Sequence, residues 1–243
     1  MSTTLQGTLQ DLVIQSNYLN DEVPLLVYLP PNFTPLSSYD LLICQDGKDF
    51  FQLGRIPRQM EALITEYEVR ETIIIGVPYP SVSERRERYH PEGERSEAYR
   101  RFLAFELLPY LDEHFPTHQL PSARTLAGDS LAGTISLLTA LEYPTLFGQV
   151  MMHSPYVDEH VLSAVREHNQ KHSLSIYHVI GSEETTVKMT NGQEADFLTP
   201  NQELSELIES SSFTYSFRIF EGNHTWTYWQ KDLPTGLKTL LPF

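Results

Sequence analysis

At 243 residues, 40% of them hydrophobic, the chain is long enough for one sizeable α/β domain with a well-buried core, and a single domain over residues 1–243 is expected. A formal net charge of -15 argues against a nucleic-acid or anionic-membrane partner, because such partners reward a basic face. The single cysteine, Cys44 in the apolar run LLIC, rules out a disulfide framework within the chain and reads as a buried structural thiol.

The opening stretch MSTTLQGTLQDL has neither a charged leader nor an apolar core segment, and no later apolar run is long enough to span a bilayer, so cytoplasmic residence is expected. Leu9 to Ile14 and Val23 to Leu29 follow, separated by the turn-prone pair Asn20-Asp21 with no helical pattern between them, which predicts an antiparallel hairpin at the leading edge of a sheet. Pro30, Pro31 and Pro35 then mark a loop.

Short apolar runs recur from there on: LLICQ from Leu41, TIIIGV from Thr72, RTLAG from Arg124, QVMMHS from Gln149, SIYHVIG from Ser175 and SFRIFEG from Ser216. Between them lie amphipathic helix patterns at Pro57 to Tyr67, Ser96 to His114 with a kink at Pro109, Leu131 to Tyr143, Asp158 to His168 and Asn201 to Ser210. Strands alternating with helices predict a mostly parallel sheet with helices on both faces. The charge-dense run from Ser83, SERRERYHPEGERSEAYRR, reads as a long exposed loop leading into the Ser96 helix.

In an open parallel sheet, ligands collect beyond the carboxyl ends of the strands. The strand at Arg124 ends abruptly in Gly128-Asp129-Ser130-Leu131-Ala132-Gly133, and a helix pattern follows. This is the sequence shape of a nucleophile elbow, in which a sharp strand-to-helix turn presents the Ser130 hydroxyl and small neighbours avoid clashes. Ala132 stands where the usual Gly-x-Ser-x-Gly pattern has its second glycine. A serine hydroxyl near neutral pH needs a base to take its proton and an acid to orient that base.

His224, in EGNHTWTYW just after the last strand pattern, is the one histidine far enough downstream to fit the order nucleophile, acid, histidine. The acid should follow the preceding strand, where Glu183 and Glu184 come directly after Gly181 and Ser182, with Glu194 and Asp196 further along the same loop. An oxyanion hole needs two amides: that of Leu131, and one from CQDGKDFF after the Leu41 strand, where Gly47 or Lys48 can supply it. His153 reads as a packed residue, and His168 and His172 lack the glutamate and third ligand of a metal site. Phe50, Phe51, Trp226, Tyr228 and Trp229 are candidates for apolar walls or for core. No metal, cofactor or dinucleotide fingerprint is present, so no cofactor is expected.

VYLPPNF from Val27, LLICQDGKDFF from Leu41, ELLPYLDEHFPT from Glu106, LAGDSLAGTISLLTALEYPTLFG from Leu126, GSEE from Gly181 and GNHTWTYW from Gly222 together resemble the esterase family that includes enterochelin esterases, S-formylglutathione hydrolase (esterase D), feruloyl esterases and the antigen 85 mycolyltransferases. The resemblance covers nearly the whole chain. It implies an α/β-hydrolase fold and a serine carboxylesterase acting on a small or aryl ester through an acyl-enzyme on Ser130. It further implies Glu184 as the acid, His224 as the base and Lys48 as the second oxyanion donor. Many relatives carry Asp at the acid position, so glutamate is a departure, as is Ala132. A small-molecule ester is the expected partner; the same residues would also serve acyl transfer to an alcohol, and an inactive scaffold would bind an ester or a protein partner through the same cleft. Whether copies of the chain associate is left open by the sequence.

Overall fold

The computed structural model describes residues 6–168, 173–190 and 192–243. Two antiparallel strands, β1 (Thr8–Ser16) and β2 (Asp21–Leu29), open the chain, paired from Thr8↔Leu29 to Ser16↔Asp21 as the turn at Asn20 dictates. The strands β3 (Asp40–Gln45), β4 (Thr72–Val77), β5 (Arg124–Asp129), β6 (Gln149–His153), β7 (Ser175–Gly181) and, beyond a two-residue pair β8 (Val187–Lys188) and β9 (Glu194–Ala195), β10 (Thr214–Phe220) follow. Eight of them form one sheet in the order β1-β2-β4-β3-β5-β6-β7-β10, parallel from β4 onward.

The order reverses between β3 and β5: the chain leaves β3 toward β4 on one side and returns to β5 on the other. Such a switch point leaves a crevice at the carboxyl ends of the two strands. The central strands β3, β4 and β5 are buried along their whole length, which is why they read as continuous apolar runs rather than alternating ones. Cys44 is buried in β3, and burial pushes its thiol up, away from reactivity.

Helices cover both faces. On one side α1 (Gly47–Gln52), α2 (Ile56–Thr65) and, at the end of the chain, α9 (Trp226–Leu240) pack through Phe50, Met60, Leu233 and Leu237 on Leu42, Ile74 and Ala127. The other face carries α3 (Val82–Tyr89), α4 (Ser96–Phe102), α5 (Leu108–His114), α6 (Leu131–Glu142), α7 (Glu159–Glu167) and α8 (Leu198–Glu209) around the larger core. Among the described residues no helix is long and apolar enough to cross a membrane.

Several expectations are revised. The charge-dense run is not a loop: residues from Val82 to Tyr89 form α3, capped by the Ser81 hydroxyl, which accepts from the Glu84 N–H at 3.2 Å. Two of its three arginines are buried because carboxylates meet them, Arg85 on Asp46 and Arg88 on Glu84 and Asp21. The kink expected at Pro109 is a π-helical segment, Leu103–Leu107, joining α4 to α5. It sits just where the proline cannot continue the helical ladder. The α6 helix is not amphipathic: Leu131 to Leu137 are all buried, as suits a helix enclosed between sheet and neighbouring helices. The α8 helix starts at Leu198 rather than Asn201, since Pro200 is tolerated in a first turn, and β10 starts at Thr214 rather than Ser216. The segment GKDFF after the β3 strand forms the first residues of α1.

Candidate active site

Ser130 joins β5 to α6 with φ 52° and ψ −129°, a conformation that costs a non-glycine residue about 1–3 kcal/mol. Its surroundings hold it there. The Ser130 N–H donates to the His153 carbonyl at 2.9 Å, and its own carbonyl accepts from the N–H groups of Gly133 at 3.0 Å and Thr134 at 3.2 Å. A Cβ at Gly128 would lie 2.1 Å from the backbone carbon of Ala132, so only glycine lets the strand end meet the helix start. The close approach is to the backbone of Ala132, not to its side chain, so the methyl at the position of the pattern's second glycine is not what the turn presses on. Beyond Ser130, the first turn of α6 leaves N–H groups without helical acceptors, Leu131 first among them.

His224 lies in the loop between β10 and α9, its side chain 16% exposed. Its Nδ1 is 2.6 Å from Glu184 Oε2. Glu184 is fully buried, and its Oε1 accepts from the Gly181 N–H at 2.8 Å and from the Ser154 hydroxyl at 2.6 Å. Trp229 Nε1 in turn donates to Ser154 Oγ at 3.1 Å. The imidazole is held edge-on between Phe197 and Trp229, with ring centroids 4.7 and 4.8 Å away. Of the four carboxylates the sequence leaves open, Glu184 alone bonds His224. Glu183 and Glu194 are exposed, and Asp196 caps α8 through Thr199, whose hydrogen bonds hold its carboxyl below the ordinary range.

Ser130, Leu131 and His224 line one cavity of about 100 Å³, with Tyr156, Phe197 and Met189 among its walls. Larger hollows of about 600 and 570 Å³ lie elsewhere, beside Leu138 and His168 and at the opposite strand ends beside Asp40 and Gln149. Neither brings together a strained serine and an imidazole, so volume is the weaker guide here.

Lys48 is an exposed residue in the first turn of α1, one strand over from Ser130, and does not line the cavity. The turn before it is tight: a Cβ on Gly47 would lie 2.3 Å from the backbone of Gly76 and Val77. A buried guanidinium fastens this turn to the elbow. Arg85 donates through Nε and Nη2 to Asp46 at 2.8 and 2.5 Å, and Nη2 also reaches the Asp129 carbonyl at 3.4 Å. Burial opposes the Arg85 charge, but Asp46 and Asp129 outweigh it and hold the guanidinium protonated. Asp129 is pushed well above the usual carboxylate range, first by burial and then by Asp46, and its Oδ1 has no partner among the described residues.

Other sequence candidates fall outside the cavity. Phe50 and Trp226 pack edge-to-face at 4.9 Å in the core, Trp229 backs the imidazole, and Phe51 and Tyr228 do not reach the cavity. His153 is buried on Asp232 at 2.9 Å, as its packed reading anticipates. His168 ends α7 half-buried, with Nδ1 3.1 Å from the Leu141 carbonyl, and His172 lies outside the described residues. No group of three or more metal-ligating side chains occurs among the described residues. Sequence reading missed Ser154, Tyr156 and Phe197. Ser154 and Tyr156 directly follow β6, at the same carboxyl edge as Ser130, so the switch-point rule could have flagged them.

Residues 16–240 match the family described as "Putative esterase", and the chain belongs to it. It is 52% identical to the Bacillus subtilis (strain 168) protein YjcH over 235 residues, covering 97% of this chain and 98% of that one. It is 25% identical over 223 residues to the iron(III) salmochelin esterase of Escherichia coli O6:H1, covering 82% of this chain and half of that protein. Among solved structures, a ferulic acid esterase superposes with a TM-score of 0.78 at 17% identity, covering 98% of each chain. The enterobactin esterase FES of Shigella flexneri superposes with a TM-score of 0.83 at 17% identity, over 98% of this chain and 59% of that one. The fold is that of the α/β-hydrolase-type esterases, and family membership supports an esterase activity.

Proposed function

We propose that the protein is a cofactor-independent serine carboxylesterase, with Ser130 as nucleophile, His224 as general base and acid, Glu184 as the group that orients His224, and the backbone N–H groups of Lys48 and Leu131 as oxyanion donors. The observation that carries this reading is the pairing of a strained serine at a helix start with an imidazole tied to a buried carboxylate, both lining one cavity.

The Ser130 oxygen attacks the ester carbonyl while His224 Nε2 takes its proton. The oxyanion that forms lies against the amides at the start of α1 and α6, where helix dipoles and unbonded N–H groups favour negative charge. Collapse of this intermediate expels the alcohol, which leaves with the proton from His224, and the acyl group stays on Ser130. Water then attacks the acyl-enzyme, giving its proton to His224, and the second collapse returns that proton to Ser130 and frees the acid. The hydrogen bond from Nδ1 to Glu184 keeps the ring in the orientation that presents Nε2 and stabilises the imidazolium.

Hydrolysis of a panel of short acyl and aryl esters, with Ser130→Ala as control, tests the reading. Turnover that disappears in the variant supports it. Turnover that survives undiminished overturns it.

A further inference from the structure

The chain carries 32 Asp and Glu against 17 Lys and Arg, yet its small cavity beside Ser130 reverses that balance. Arg85, Arg86 and Lys188 line it, and no Asp or Glu does. Arg85 is spoken for by Asp46. Arg86, half-buried on α3, and Lys188, exposed on β8, form no ion pair among the described residues, although every other arginine of α3 has a carboxylate partner. In so acidic a protein, two unpaired cations converging from separate elements on one cavity make a local positive field of the kind that concentrates anions.

Resting on the esterase reading of this cavity, we infer that the preferred substrates are esters bearing a carboxylate within a few bonds of the scissile carbonyl, held by Arg86 and Lys188. The cavity's volume of about 100 Å³ sets the distance: it has room for a short acyl or alcohol group, not a long chain, so the anion must sit close to the ester. A planar guanidinium on Arg86 suits a carboxylate through two parallel hydrogen bonds, with Lys188 as a mobile point charge on the other side. Tyr156 and Phe197 supply the apolar wall along which the connecting carbons lie.

The test measures kcat/KM for two matched pairs. Monoethyl succinate against ethyl butyrate places the carboxylate on the acyl side, and acetoxyacetate against propyl acetate places it on the alcohol side. The anionic-to-neutral ratio should exceed about tenfold in one pair, and R86Q combined with K188Q should lower that ratio by about tenfold or more, mainly through KM. A ratio near one in both pairs, or a ratio that the double variant leaves unchanged, overturns the inference. If no ester of any kind is hydrolysed, the esterase reading fails, and the anion site is then judged by binding. NMR titration of monoethyl succinate into Ser130→Ala should show saturable binding that weakens about tenfold on adding R86Q and K188Q. Absent binding, or binding the added substitutions do not change, overturns the inference independently of turnover.

Discussion

Among the described residues two histidines are hydrogen-bonded to a carboxylate, and what separates them is where the second ring nitrogen faces. His224 Nδ1 meets Glu184 at 2.6 Å, and its Nε2, free of partners among the described residues, belongs to a ring that lines the Ser130 cavity. His153 Nε2 meets Asp232 at 2.9 Å, and its Nδ1 is sealed in the core without a partner among the described residues. Asp232 is further bound by Tyr177 at 2.9 Å and by Arg218. The chemistry of the two pairs is nearly the same, but one imidazole lines the cavity that Ser130 also lines and the other is enclosed in the core. An imidazole–carboxylate pair is therefore a structural brace by default, and becomes machinery only where its second nitrogen opens on a reacting group.

Mutation should separate the two pairs. The largest effect belongs to the exposed one: Ser130→Ala or His224→Ala should each lower kcat by about 10⁴-fold or more in an ester assay, with thermal stability nearly unchanged. Glu184→Gln should cost about 10²–10⁴-fold, because the amide can favour the wrong tautomer of His224. The sealed pair should show the reverse pattern. Burial works to raise the Asp232 carboxyl, but His153, Tyr177 and Arg218 outweigh it and hold it below the usual range. Asp232→Asn should lower unfolding free energy by about 2 kcal/mol in denaturant titrations while leaving kcat within a few-fold. A variant at Asp232 that abolished activity without destabilising the fold would show the distinction to be wrong.

Asp46→Asn sits between the two. It strands the buried Arg85, so it should cost about 3 kcal/mol of stability and also loosen the turn that carries Lys48. Acid should act through another buried imidazole. His178 is pushed down to about 4 by burial, and its ring is bonded to Asn201 Oδ1 and the Tyr215 hydroxyl, both at 2.7 Å. A folded-state value below that of the unfolded chain means the unfolded state binds more protons, so stability is full above about pH 6.5 and falls as pH drops toward 4. The loss reaches about 3 kcal/mol, read from denaturant midpoints against pH, and His178→Gln should flatten that slope. The smallest effect is expected at Ser154→Ala. Removing one of the three hydrogen bonds to Glu184 should reduce kcat about tenfold or less and leave KM alone.

The strands were legible in the sequence because burial on both faces leaves unbroken apolar runs, and β3, β4 and β7 begin within a residue of where LLICQ, TIIIGV and SIYHVIG begin. Ser130 was legible because the elbow demands small residues at fixed offsets. Glu184 was not separable from Glu183, Glu194 and Asp196 by spacing, since what selects it is a bond to an imidazole 40 residues away. The α3 helix was illegible for a related reason. Its arginines look solvated when their partners Asp21 and Asp46 are distant in sequence, and only the fold brings those charges together. The cavity walls from β8 and from Phe197 at the start of α8 likewise carry no local signal of their own, whereas Tyr156 follows a strand end and could have been flagged.

The central claim is that the Ser130 hydroxyl is an activated nucleophile. Intact-mass spectrometry after treatment with a fluorophosphonate tests it most directly. The account predicts a single adduct on the native protein, retained in Asp232→Asn and lost in both Ser130→Ala and His224→Ala. An unlabelled native protein, or an adduct that persists in Ser130→Ala, would contradict it.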